Sequence, residues 1–228
     1  MEMKRKKLSG KGFEYEFTPF VHDYYYDGKL MTGVTTVLNV ISKPNLIKWA
    51  ADCAVDYIED HKIPKTYDGV SASDPIFVSQ ETLLEARKAY AMKRDTAAGS
   101  GTAIHSRCEI IIKDVIKRNN GFLFSGMTSN EPQVQHFIHW AEKNKVRFTA
   151  SEEQVFSILN FCAGTYDFTC EIDGLKYVGD IKTSSSIYGR EPFAQTAAYQ
   201  MMIAEMEGKK PHEIADRRLI INLKKTGV

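Results

Sequence analysis

Cysteine is scarce in this chain: Cys53, Cys108, Cys162 and Cys170 are its four residues, and no two stand at C-x-x-C spacing. That weakens any zinc-site reading, and reduced thiols are the expectation. Long apolar runs are missing too. Nothing approaches the ~18 residues of a membrane span, and the basic residues 1–7 are not followed by the apolar stretch of a secretion signal. A cytoplasmic protein without a membrane partner is expected. An excess of one charge is also absent, since 30 Lys and Arg face 29 Asp and Glu for a net charge of +1. Global basicity therefore does not advertise nucleic acid, and any surface for it has to arise by local segregation of charge. No G-x-x-x-x-G-K-[ST] occurs, so ATP-driven work has to come from a partner. Internal repeats and low-complexity tracts are lacking.

What is present suits one substantial core, with 43% hydrophobic residues in a chain of 228. Lys4 to Lys7 and Lys11 form a basic arm expected to fray. Residues 13–26 alternate aromatic and polar side chains and turn at Asp27-Gly28, a hairpin pattern. Tyr24, Tyr25 and Tyr26 either offer stacking surfaces for bases or pack beneath the first helices, and both readings stand. Residues 32–42 read as a short helix or turn stopped by Pro44. Residues 45–61 form a helix with Leu46, Trp49, Cys53 and Tyr57 at helical spacing. Residues 62–78, with Pro64, Asp68-Gly69 and Pro75, read as a loop and a candidate boundary or strap.

Ser79 is placed to cap a helix that runs to about Thr96, and residues 97–100 are expected to break it before a second helix over 101–117. Another amphipathic helix spans about 131–144. Strand-like residues 146–159 follow, then a helix over 192–207 stopped by Gly208, and a last strand over 217–223.

The densest signal lies between residues 164 and 183. Residues 161–172 are rich in β-formers, Asp173-Gly174 is a two-residue hairpin turn, and residues 175–181 are the return strand. The hairpin carries Asp167 back towards Asp180. Lys182, two residues beyond, projects with Asp180. Charges on so apolar a strand are costly unless paired or holding a metal. Two carboxylates suit a hard cation such as Mg²⁺, and a lysine beside it steers water and offsets charge building on a phosphate. A surface hairpin with a solvated Asp–Lys pair is the plain alternative.

Gly164-Thr165-Tyr166-Asp167, Asp180-Ile181-Lys182 and Gln195-Thr196-Ala197-Ala198-Tyr199 resemble three successive motifs of the PD-(D/E)XK nucleases, in their RecB-like branch. Upstream, Gly101-Thr102-Ala103-Ile104-His105-Ser106-Arg107-Cys108-Glu109 is similar to that branch's G-T-x-x-H-x-x-x-E helix. The four stand in the family's order and cover residues 97–225. Val34-Thr35-Thr36-Val37-Leu38 and the Trp49 helix also resemble the N-terminal region of the mitochondrial genome maintenance exonuclease and of phage-encoded relatives.

The resemblance implies an α/β fold of the mixed α+β kind. Its restriction-endonuclease-like αβββαβ core has a central mixed sheet flanked by helices, with a helical N-terminal extension. Residues 97–228 are then the nuclease core. Residues 1–96 form a hairpin and helical region packed on it and shaping a nucleic-acid channel.

It further implies a metal-dependent DNA exonuclease that prefers single-stranded or end-bearing DNA, in repair, recombination or phage DNA processing. Its compartment is the cytoplasm of a bacterium or a phage-infected host. Asp167, Asp180, His105 and the backbone carbonyl of Ile181 are carried over as metal ligands, for Mg²⁺ or Mn²⁺. Lys182 is carried over as the reaction lysine and Glu109 as an acid acting with the metal through water. The plain reading of Glu109 is an ion pair with Lys113. Gln195, Tyr199, Thr183 and Thr102 are carried over as substrate-binding, and Glu153 as a strand glutamate near the site. Some relatives hold an iron–sulfur cluster on cysteines close to the C-terminus; none follows Cys170, so no cluster is expected. The implied partners are DNA and a helicase, recombinase or single-strand-binding protein. Two other readings remain open: a structure- or sequence-specific endonuclease on the same core, and a nucleic-acid-binding subunit without activity.

Overall fold

The computed structural model describes residues 6–10, 13–18, 21–41, 43–62, 77–187 and 189–225. Most of the expected 62–78 loop and of the basic arm lies outside them. In chain order the elements are β1 (Lys6–Gly10), β2 (Phe13–Thr18), β3 (Asp23–Tyr26), β4 (Lys29–Leu30), β5 (Thr32–Gly33) and α1 (Val34–Val37). A 3₁₀ turn at Leu38–Val40 follows, then α2 (Pro44–Asp60), α3 (Gln80–Asn119), α4 (Pro132–Lys143), β6 (Arg147–Ser157), β7 (Cys162–Ile172) and β8 (Leu175–Lys182). The last elements are α5 (Glu191–Glu207), α6 (Pro211–Ile214) and β9 (Arg217–Asn222). None of the helices among the described residues is long and apolar enough to cross a membrane.

Two compact units divide the chain, Met1–Ile41 with Ala103–Val228, and Ser42–Thr102. In the second, α2 lies against the first half of α3 through Trp49 on Tyr90, ring centroids 5.1 Å apart, and Lys93 on Asp56 at 3.1 Å. Pro44 occupies the first turn of α2, where its missing N–H costs nothing. Ser79 caps α3 as its sequence suggests, its Oγ accepting the Thr82 N–H at 3.0 Å.

The break expected at residues 97–100 does not occur, and α3 continues through it. Ala97 and Ala98 are strong helix formers, and Gly99 and Gly101 each cost only about 1 kcal/mol relative to alanine. The hydroxyls of Thr96 and Thr102 stay inside the helix, donating to the Met92 and Ala98 carbonyls at 2.9 and 3.0 Å.

The first unit is a mixed α/β structure with a central mixed sheet flanked by helices. β6, β7 and β8 are antiparallel neighbours, β9 runs parallel to β8, and β5 pairs with the start of β7 in parallel. Asp173 (φ 49°) and Gly174 (φ 78°) both take the left-handed conformation that a tight turn matching strand twist demands. Phe137, Phe148, Phe168, Ile112 and Val115 are fully buried in the core formed by α3, α4 and the sheet. A second core gathers Val155, Tyr166 and Val178 from the sheet with Tyr199, Met202 and Ile203 of α5. The separate sheet β1-β2-β3-β4 buries Tyr15, Phe17 and Tyr24 against Phe156 and Ala163.

Candidate active site

The site forms where β7 and β8 part. Their ladder runs from Ile172 opposite Leu175 to Phe168 opposite Gly179, and one step further would set Asp167 abreast of Asp180. At that step the backbone pairing gives way to a side chain: Asp167 Oδ2 accepts the Ile181 N–H at 2.5 Å. The hairpin thus delivers two carboxylates to one point, and a carboxylate takes the place of a ladder bond.

Asp180 is 1% exposed, so its charge is deprived of water. Lys182 Nζ donates to Oδ1 at 3.0 Å and lies 2.8 Å from Oδ2, so the ammonium faces both oxygens of the carboxylate. Buried Oδ2 makes no hydrogen bond among the described residues and is offset by that ion pair. Burial first, then the Asp167 charge, raises the Asp180 pKa to about 6 against the opposing pull of Lys182. His105, on α3, places Nδ1 3.5 Å from Asp167 Oδ2. Burial lowers its pKa, yet the Asp167 hydrogen bond and the Asp167 and Asp180 charges outweigh burial, and the net shift is upward.

On the far side of Lys182, α5 supplies a relay. Lys182 Nζ donates to Gln195 Oε1 at 2.9 Å, and Gln195 Nε2 donates to Tyr199 Oη at 2.9 Å. Tyr199 is buried, and burial raises its pKa, so its phenol stays protonated. Asp167, Asp180, His105, Lys182, Gln195 and Tyr199 are therefore brought together.

The other expected residues make these contacts. Glu109 pairs with Lys113 on its own helix face. Thr102 directs its hydroxyl to Ala98. Thr183 opens the loop behind Lys182, half-buried. Ile181 contributes its N–H to Asp167 and buries its side chain in the core. Glu153 accepts the Tyr166 phenol at 2.8 Å.

Glu152 was not singled out by its sequence position. The pairs Ser151–Phe168 and Glu153–Tyr166 bracket it and Asp167, so the two acids stand abreast on adjoining strands. It adopts φ 54°, an uncommon conformation for a residue with a β-carbon. Burial, then the charges of Asp167 and Glu109, raise its pKa to about 7. Two successive glutamates on one strand were the available signal, since only one of them can face Asp167.

Tyr24 is buried, its hydroxyl 2.8 Å from Thr165 Oγ1, so it packs rather than offering a stacking platform, though against Phe17 and Phe156 of the strands and not beneath the first helices. Trp49 is 37% exposed on α2.

The donor set fits a hard divalent cation, with two carboxylates, an imidazole and one buried carboxylate oxygen, Asp180 Oδ2, that makes no hydrogen bond among the described residues and faces only the Lys182 ammonium. The cage is not closed. Among the described residues no three His, Cys, Asp or Glu side chains already stand in a metal-holding group. Comparison with models of known protein families and with curated proteins finds no match to this chain.

Proposed function

We propose that this chain is a metal-dependent deoxyribonuclease on a restriction-endonuclease-like core, an exonuclease acting on single-stranded or end-bearing DNA. The observation that supports it is the meeting of Asp167, Asp180, His105 and Lys182 where β7 and β8 part. Asp167, Asp180 and His105 would hold Mg²⁺ or Mn²⁺. When bound, such an ion supplies charge neutralisation and lowers the pKa of a water. Lys182 donates to the attacking water or to a non-bridging phosphate oxygen, and Gln195 holds its ammonium in place. Water attacks phosphorus and gives up a proton to solvent, the P–O bond to the 3′ oxygen breaks and that oxygen takes a proton from solvent, which leaves a 3′-hydroxyl and a 5′-phosphate. Glu152 adds a carboxyl group beside Asp167, its pKa raised to about 7 by burial and by the Asp167 charge.

One observation favours a second reading, an inactive nucleic-acid-binding protein: Lys182 covers Asp180, and no three-ligand group is preformed. Digestion of end-labelled linear and circular DNA, single- and double-stranded, with Mg²⁺, Mn²⁺ or EDTA separates the readings. Release of nucleotides from linear strands only, abolished by EDTA and by Asp180→Asn, is the expected result. No cleavage under any condition favours the second reading, and rapid nicking of circles favours an endonuclease.

A further inference from the structure

Behind Lys182 the structure has a cavity of about 200 Å³, walled by Lys182, Ser184, Ser186, Ile187, Pro192 and Gln195. Glu191 also lines it. It shares two residues with the candidate site, and they are the ones that set its chemistry. An ammonium has three protons to donate. Lys182 directs them to Gln195 Oε1 at 2.9 Å and to the Asp180 carboxylate, whose oxygens lie 3.0 and 2.8 Å away, and with its side chain still 27% exposed it meets a group arriving at the cavity as a positive charge. Beyond that point the wall changes character. Ile187 and Pro192 present apolar surface, while Ser184 and Ser186 add short hydroxyl side chains.

We infer that this cavity is a nucleoside subsite, taking the sugar and base of one unpaired nucleotide whose phosphate lies on Lys182. Its volume is about 200 Å³. That is the scale of one nucleoside and too small for a base pair. A base seated there has left its stack, and contact of its face with apolar side chains replaces part of what unstacking costs. This inference rests on the nuclease reading for its substrate and names the preference within it: a strand whose terminal nucleotide is unpaired.

Binding is tested without catalysis by titrating metal-free protein with deoxycytidine 5′-monophosphate while amide NMR signals are followed. Shifts confined to Ser184, Ser186, Ile187 and the Gln195 side chain are expected. They should disappear in Ile187→Trp, which fills the cavity, and persist in Ile187→Val. Equal shifts with inorganic phosphate alone would reduce the cavity to an anion pocket and overturn the inference. So would the absence of shifts with the nucleotide.

In the cleavage assay, Ile187→Trp should raise KM for linear single-stranded DNA by about tenfold. Its kcat, its Mn²⁺ affinity and its unfolding midpoint should stay at the wild-type level. An unchanged KM in an active, folded variant sinks the subsite and leaves the nuclease reading standing. Nucleotide binding by a protein that cleaves no DNA does the reverse.

Discussion

Tyr199 lies so close to the backbone of Gly164 that a β-carbon on that glycine would sit 2.7 Å from the tyrosine's Cε1. The glycine is needed there for room. Tyr199 is 3% exposed and holds Gln195, which holds Lys182, so its ring cannot swing away without disturbing the ammonium. Gly164→Ala should therefore cost about 1–3 kcal/mol of stability by overpacking. It should lower kcat more than it raises KM for DNA. A variant with normal kcat and normal unfolding would show that Tyr199 yields freely and has no positioning role.

Lys182 and Asp180 make a pair in which removing either partner has a different sign. Lys182→Met leaves a buried carboxylate uncompensated. The loss at pH 8 should approach the low end of the ~3–5 kcal/mol typical of broken buried pairs, because the lysine is still 27% exposed. Asp180→Asn removes the charge that burial opposes. The Asp180 pKa is raised to about 6 from 3.8, so folding is favoured below pH 4 and that contribution fades as pH rises through 6. At pH 8 the asparagine variant should be the more stable protein, and at pH 4 the two should match. The double variant should recover most of what Lys182→Met loses. A double variant whose effect in chemical denaturation equals the simple sum of the Lys182→Met loss and the Asp180→Asn gain would mean that the pair is not coupled.

Much of this architecture is legible in the residues because local chemistry dictates it. Asp173-Gly174 and Asp27-Gly28 turn where two successive positive φ angles are needed, and Gly208 ends α5 in the left-handed conformation. The acids and Lys182 are legible too, since strand alternation and a two-residue turn fix their relation. What the sequence hides is tertiary. Nothing local says that β7 and β8 separate after Phe168, so that a carboxylate takes the Ile181 N–H. Nor does alternation reveal which of Glu152 and Glu153 faces Asp167, because that depends on the register with β7. The continuity of α3 across Gly99 and Gly101 likewise went against their low propensity, with alanines and helix-internal threonine bonds tipping the balance.

Metal binding should be visible as stability. A cation that binds only the folded site at a hundred times its Kd adds about 2.7 kcal/mol. For a chain of this size that is a rise of about 5–10 °C in the unfolding midpoint. Mn²⁺ should produce it in the wild type and in Gln195→Ala, and fail to do so in Asp180→Asn. A midpoint indifferent to Mn²⁺ in the wild type would remove the cation from Asp167, Asp180 and His105.

Glu152 offers the clearest pH test, because it lies beside the expected ligands without being one of them. Burial and the Asp167 charge hold its pKa at about 7, well above the 4.5 of a free glutamate. A raised acid favours the folded state while it is protonated, so its contribution is complete below pH 4.5 and is lost as pH climbs through 7. Glu152→Gln mimics the protonated form at every pH. In metal-free buffer at pH 8 it should unfold later than the wild type by an amount on the order of 1 kcal/mol, about 2–4 °C for this size. The two curves should merge at pH 4.5. A second variant separates charge from backbone: Glu152→Gly relieves the φ of 54° as well, and its gain should survive at pH 4.5. Identical pH profiles for wild type and Glu152→Gln would place Glu152 in water, away from the Asp167 carboxylate.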